Sequence, residues 1–351
     1  MQHLLRPWAS QPSGIEAWQQ KLQDVLQPTP RARKAPRKEM APRTAQSSVL
    51  PVHEKCRTID ASNDPSCPLE QDRSSPPSPA FGSLATRPLL GFTATTMIYA
   101  ALPYKATDEA ILRCSNGYRE TTVMVDPQIG MPYGKLPRII AAYLCTEAKR
   151  TREPLIRLGR SKSEFARRLG MTRSRSGGAQ GNLSCLTEQA IRLFNMKITT
   201  TVEEGDKRTW SHLMITEHGQ FFSSQASIDK RMPWEGEIML HRAFFDECVS
   251  HAIPIDIRVI HALQSSMAID IYVWLTYRFN ALNRKTTIRW SQLQAQFCKN
   301  GIGCATTAKN FVAVFKKNLK EVLGMYPGAR VDVTTHGITL LPSMTHISPK
   351  S

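Results

Sequence analysis

The sequence is short of acidic residues: 29 Asp and Glu stand against 46 Lys and Arg, a formal net charge of +17. Such an excess suits a polyanionic partner. No apolar run reaches the ~18 residues of a membrane span, and no charged-then-apolar segment opens the chain, so neither a membrane partner nor a secretion signal is expected. The eight cysteines (Cys56, Cys67, Cys114, Cys145, Cys185, Cys248, Cys298 and Cys304) include no C-x-x-C. Cys298 and Cys304 have no His at ligand spacing, so no zinc or other metal is expected. Scattered cysteines of this kind read as free thiols in a reducing, cytoplasmic compartment. Cys145 and Cys248 lie in apolar helical patterns and read as small core residues. The nine histidines include no H-x-H, which excludes the metal-holding pair that a DNA-nicking initiator would use.

A phosphate-cradling loop is also missing. Such a loop reads G-x-x-x-x-G-K followed by Ser or Thr. In "GMPYGKLPR" only three residues separate Gly130 from Gly134, and Leu136 stands where a magnesium-binding hydroxyl belongs. Nor does spacing suggest a Ser/His/Asp or paired-carboxylate centre. The expectation is therefore a protein that is not an enzyme and needs no cofactor. The same stretch reads instead as a helix start. Pro137 is tolerated in a first turn, and Leu136, Ile139, Ile140, Tyr143 and Leu144 then form one apolar stripe.

What is present is concentrated positive charge. Residues 134–182 carry 12 Lys and Arg against 3 Asp and Glu, a net of +9. A local stripe is the usual footprint of nucleic-acid binding. The first ninety residues differ in kind. They hold 13 of the 23 prolines, and "SSPPSPA" and "PTPRARKAPRKEMAPR" cannot form a packed core. Residues 28–94 therefore read as a disordered Pro/Arg/Ser-rich linker. Residues 1–27 read as a short amphipathic helix in which Trp8, Trp18 and Leu22 are candidate anchors for a partner.

From about residue 95 the chain reads as α+β, with an internal echo. Residues 141–170 and 271–301 each run helix, basic residues, short strand ("LIRL", "TTIRW"), Ser-started helix, glycine. Ser161 with Glu164 makes a capping-box pattern, and Ser291 is the expected N-cap of the second copy. Each copy leads to a further helix. In "NLSCLTEQAIRLFNMK" Leu183, Leu186, Ala190, Leu193 and Phe194 are expected inward. In "TTAKNFVAVFKKNLKEVLGMY" Phe311, Val314, Phe315, Leu319, Val322 and Leu323 are. Paired strands follow, around an E-G-D turn in the first copy and around His336-Gly337 in the second. Strand, helix, turn, helix and hairpin is the pattern of a winged helix, a helix-turn-helix with a β wing. The expected organisation is two tandem winged-helix domains, 95–235 and 236–345, and a tail, 346–351.

The stretches "YGKLPRIIAAYLCTEAKR", "LGRSKSEFARRLGM", "GGAQGNLSCLTEQAIRLF", "PIDIRVIHALQSSMAIDIYVWLTYRFN", "TTIRWSQLQAQF" and "YPGARVDVTTHGITLLPS" resemble, in order, the RepA-type replication initiators of bacterial plasmids. The resemblance covers roughly residues 97–345 and departs from the family at "FCKNGIGCATTAKNF". It implies a protein that binds repeated sites (iterons) in double-stranded origin DNA and promotes opening of AT-rich DNA. It further implies recruitment of the host replicative helicase or its loader, repression of its own gene, and a monomer–dimer equilibrium.

Candidate DNA contacts follow from helix-turn-helix geometry, in which the second helix enters the major groove. The first module offers Asn182, Ser184, Gln189 and Arg192, since Arg and Gln make bidentate contacts to bases. Arg167, Arg168, Arg173 and Arg175, in or next to the connection, suit phosphate. Lys207 and Arg208 fall at an expected wing tip. The second module offers Thr306, Thr307, Lys309, Asn310, Lys316, Lys317 and Lys320. A winged-helix transcriptional repressor without initiator activity is the alternative. It would need one inverted repeat rather than direct repeats beside an AT-rich tract.

Overall fold

The computed structural model describes residues 88–347 apart from 101, 116–118, 172–181, 221–235 and 299–306. These belong to one compact unit, Ala61–Ser351. The expected anchor helix with Trp8, Trp18 and Leu22, the linker up to residue 87, and Arg173, Arg175 and Thr306 lie outside the described residues. So does the side chain of Asn182.

In chain order the elements are β1 (Leu90–Thr93), α1 (Thr95–Ala100), β2 (Ile111–Ser115), β3 (Arg119–Met124), α2 (Lys135–Thr151), β4 (Leu155–Gly159), α3 (Lys162–Arg168) and α4 (Asn182–Phe194). Then come β5 (Lys197–Glu204), β6 (Lys207–Met214), β7 (Thr216–Gln220), β8 (Gly236–Leu240), α5 (Arg242–Ser250), β9 (Ile253–Asp256), α6 (Ile257–Ala262) and α7 (Ser266–Ala281). β10 (Thr286–Arg289), α8 (Trp290–Phe297), α9 (Ala308–Met325), β11 (Val331–Val333) and β12 (Gly337–Leu340) complete the chain. The fold is a mixed one of helices and antiparallel sheets.

The local signals act where the sequence puts them. Lys135 opens α2 behind Gly134, whose φ of 75° suits a residue without Cβ. Leu136, Ile140 and Leu144 are buried on its inner stripe. Ser161 caps α3 by accepting from the Glu164 amide at 3.0 Å, while the Glu164 carboxylate accepts from the Arg160 amide at 2.9 Å. In the second module Phe297, Phe311 and Phe315 pack together with ring centroids 5.3–5.5 Å apart. Trp274 stands edge-on to Phe297 at 5.6 Å. Aromatic pairs of this geometry add about 1 kcal/mol each beyond the area they bury.

Three expectations are corrected by strand pairing. The hairpin β5–β6, expected as the first wing, does not pair with β4. It extends β2–β3 into a four-stranded sheet in the order β2-β3-β5-β6. The strand partners of β4 are instead β8 and, through it, β7. A division at 235/236 therefore falls inside this sheet, because β8 belongs with the first module. Likewise Leu90–Thr93, expected in the linker, is a strand, β1, held by β9. Each correction has one cause: periodicity identifies a strand, but its partner is set by contacts far away in sequence.

Smaller corrections concern helix faces. Val314 of α9 is 41% exposed, while Asn318 takes the inward place. Asn318 accepts from the Ser265 hydroxyl and donates to the Val314 carbonyl at 2.8 Å, so its burial is satisfied. α8 begins at Trp290 behind Arg289, so Ser291 lies within the first turn rather than at the cap. Cys145 and Cys248 are buried thiols, whereas Cys185 and Cys298 are disulfide-bonded rather than free. Spacing along the chain does not reveal such pairing, which is a tertiary property. Among the described residues no helix is long and apolar enough to cross a membrane, and no His/Cys/Asp/Glu group could hold a metal ion.

Candidate nucleic-acid interface

The second module follows the order helix, strand, helix, helix, hairpin: α7, β10, α8, α9, then β11–β12, with β10 hydrogen-bonded to β12. α9 buries Phe311, Phe315, Leu319 and Val322 and leaves Lys309, Asn310, Lys316, Lys317 and Lys320 exposed. At about 100° per residue, Lys309, Lys316 and Lys320 fall within a sector of roughly 40°. They span about 16 Å of helix, with Lys317 and Asn310 on the flank. No carboxylate pairs with these lysines among the described residues. Lys316 lies 5.4 Å from the Trp290 ring centroid. The start of the helix is fixed by Thr307, whose hydroxyl accepts from the Asn310 amide at 3.3 Å.

The hairpin is tied to the helix pair. The Trp290 amide donates to the His336 carbonyl and its indole N–H to the Thr335 carbonyl, each at 3.1 Å. The close approach of β10 and β12 requires glycine at 337. A Cβ there would sit 2.0 Å from the Ile288 carbonyl oxygen. Around this frame Arg284, Lys285, Arg289, His336 and Arg330 are exposed. The sequence reading did not single these out. The basic pair at 284–285 and the basic residue closing "TTIR" were the available signals.

The first module presents a different surface. Gln189 is only 1% exposed, and its Oε1 accepts from the Tyr133 amide at 2.9 Å, so it cannot reach a base. It stands three residues after Leu186 and four before Leu193, inside the buried stripe. Its place in that i, i+3, i+7 pattern was the missed signal. Arg192 is folded inward: it pairs with Glu188 at 2.5 Å, donates to the Met131 carbonyl at 3.2 Å and lies 5.4 Å from the Tyr133 ring centroid. Ser184 is half-buried. The exposed face of α4 instead carries Glu188 and Ile191. Arg168 is exposed but holds Glu164 at 2.8 Å and the Arg157 carbonyl at 2.9 Å, while Arg167 is exposed beside it. Lys207 and Arg208 are exposed at the tip of β5–β6. There Glu203, Glu204 and Asp206 cancel their charge, and Arg208 lies 3.5 Å from Glu203. The structure thus places Lys309, Lys316 and Lys320 on one face of α9, with Asn310 and Lys317 on its flank and Thr307 at its N-cap, while the first-module candidates stand on other elements.

No curated protein matches the chain. Among solved structures, domains 2 and 3 of RctB align over 72% of this chain and 97% of theirs, at 9% identity and a TM-score of 0.47. A second structure of the RctB domains 2–3 aligns over 69% and 94%, at 10% identity and a TM-score of 0.42. Residues 131–292, from just before α2 through the first turn of α8, match the family described as plasmid encoded RepA protein.

Proposed function

We propose that this protein is a plasmid replication initiator that binds repeated sites in origin DNA through its second winged helix, with α9 in the major groove and β11–β12 as the wing. The observation that carries this reading is the Lys309–Lys316–Lys320 face, free of carboxylates among the described residues, on α9, which follows α8 and precedes the β11–β12 hairpin. Arg284, Lys285, Arg289 and Arg330 border it and suit phosphate contacts, which fix register without reading sequence. In the first module Arg168, Arg192 and Arg208 are taken up by Glu164, Glu188 and Glu203, which makes it the weaker partner at DNA, and a monomer–dimer equilibrium through it fits this division. The RepA match over residues 131–292 supports the initiator role. Iteron recognition, opening of AT-rich DNA, control of the protein's own gene and residence in the bacterial cytoplasm follow from that role, and the N-terminal segment with Trp8, Trp18 and Leu22 is the proposed anchor for a host helicase or loader.

Footprinting of the full chain on its own plasmid's origin tests this. Protection of direct repeats beside an AT-rich tract supports the initiator. Protection of a single inverted repeat at the promoter alone supports a repressor.

A further inference from the structure

A second site lies away from the α9 lysines. A cavity of about 520 Å³ opens between α7, β10 and α8, with α1 and the end of β2 closing one side. This is within the size range of small-ligand sites. Arg278, in the last turn of α7, lines it, and its Nε is buried with no hydrogen-bond partner among the described residues. A buried guanidinium N–H left unmade is costly. The rest of the lining supplies donors and rings. Thr287 and Ser291 bring hydroxyls, and Tyr99 and Tyr277 meet edge-on at 6.0 Å with their hydroxyls 2.8 Å apart. Ser291 and Gln292 belong to the first turn of α8, where backbone N–H groups lack intrahelical partners and the helix dipole favours negative charge. Among the described residues no Asp or Glu lines the cavity, and none of the α9 lysines does.

We propose that this cavity binds the phosphate of a nucleotide: Arg278 and the first turn of α8 take the phosphate oxygens, and the aromatic wall at Tyr99 and Tyr277 takes the base. Arg is suited to phosphate because its donors match two oxygens at once, and bases stack on aromatic side chains whatever their identity. The nucleotide is either free or part of a DNA strand, and both present the same group.

Isothermal titration of the full chain tests the site, with AMP as one probe and a single-stranded dT8 oligonucleotide as the other. The oligonucleotide arm uses a K309A/K316A/K320A background, so that failure of the α9 face and failure of this cavity are separable. The expected result is saturable binding of at least one probe, weakened at least tenfold by Arg278→Gln and partly restored by Arg278→Lys. Ala295→Glu, which places a carboxylate at an exposed position of the cavity wall, should weaken binding similarly with an unchanged melting temperature. AMP binding alone assigns a free nucleotide, and dT8 binding alone assigns a strand. Absence of binding by either probe at millimolar concentration, or equal affinity in wild type and A295E, overturns the proposal.

Discussion

Arg138 and Asp270 form a two-pronged ion pair joining α2 to α7, with Nε to Oδ1 at 2.6 Å and Nη2 to Oδ2 at 2.7 Å. The remaining guanidinium donors reach the Gly134 and Leu102 carbonyls at 2.6 and 2.7 Å. A buried charge is tolerable only when paired and hydrogen-bonded in this way. Asp270→Ala should therefore leave an uncompensated guanidinium and cost about 3–5 kcal/mol. R138M/D270L should cost less than D270A alone. Urea denaturation of the wild type and both variants checks this, and a cost for D270A below about 1 kcal/mol contradicts it.

Gly337 is fixed by proximity rather than by φ. Gly337→Ala forces Cβ into the Ile288 carbonyl and must separate β10 from β12. The expected cost is at least about 2 kcal/mol, from overpacking against backbone. Because the Trp290 indole is anchored on the same turn, loss of DNA affinity should accompany loss of stability. A folded G337A with unchanged melting temperature would rule this out.

Two histidines set an acid limit. Burial lowers His261 below its ordinary 6.5, and Lys135 lowers it further. Burial also lowers His346, which meets the Tyr272 hydroxyl at 2.9 Å and stacks on Tyr326 at 4.7 Å. A depressed histidine is neutral in the fold while the unfolded chain takes up protons first. Its contribution to stability is full above about 6.5 and is lost as pH falls from there toward the folded value. The melting temperature should fall between pH 7 and pH 5, with a shallower slope in His346→Gln. An identical slope in the variant would exclude His346 as a source.

Much of this was legible in the sequence, and what was not has a physical pattern. The Ser161 cap, the α2 stripe and the Phe311–Phe315 face depend on neighbours within one or two turns, and periodicity reports such neighbours. The sheet partner of β5–β6 depends on β3, more than seventy residues away from the hairpin tip in sequence. The inward turn of Gln189 depends on the Tyr133 amide in a loop. The echo between residues 141–170 and 271–301 was visible, but the chemical difference between its two copies was not. That difference arises from what Glu188 and Met131 do to Arg192, a tertiary matter.

The two helical faces should behave oppositely on mutation. Arg192→Ala removes an internal partner of Glu188 and Met131, so it should lower stability by about 1–2 kcal/mol. It should leave DNA affinity, measured below the new melting point, within twofold. Lys317→Ala, at an exposed site, should leave stability within about 0.5 kcal/mol and weaken DNA binding. The reverse assignment of effects would move the interface to α4.

The central claim is that the α9 face meets DNA, and the salt dependence of origin binding tests it most directly. Fluorescence anisotropy of a labelled origin repeat should give a linear log Kd against log salt plot. K309A/K316A/K320A should reduce the slope by roughly 0.9 for each phosphate that the three lysines neutralise and weaken binding at least a hundredfold, with an unchanged melting temperature. A triple variant that keeps both wild-type affinity and wild-type slope contradicts the account.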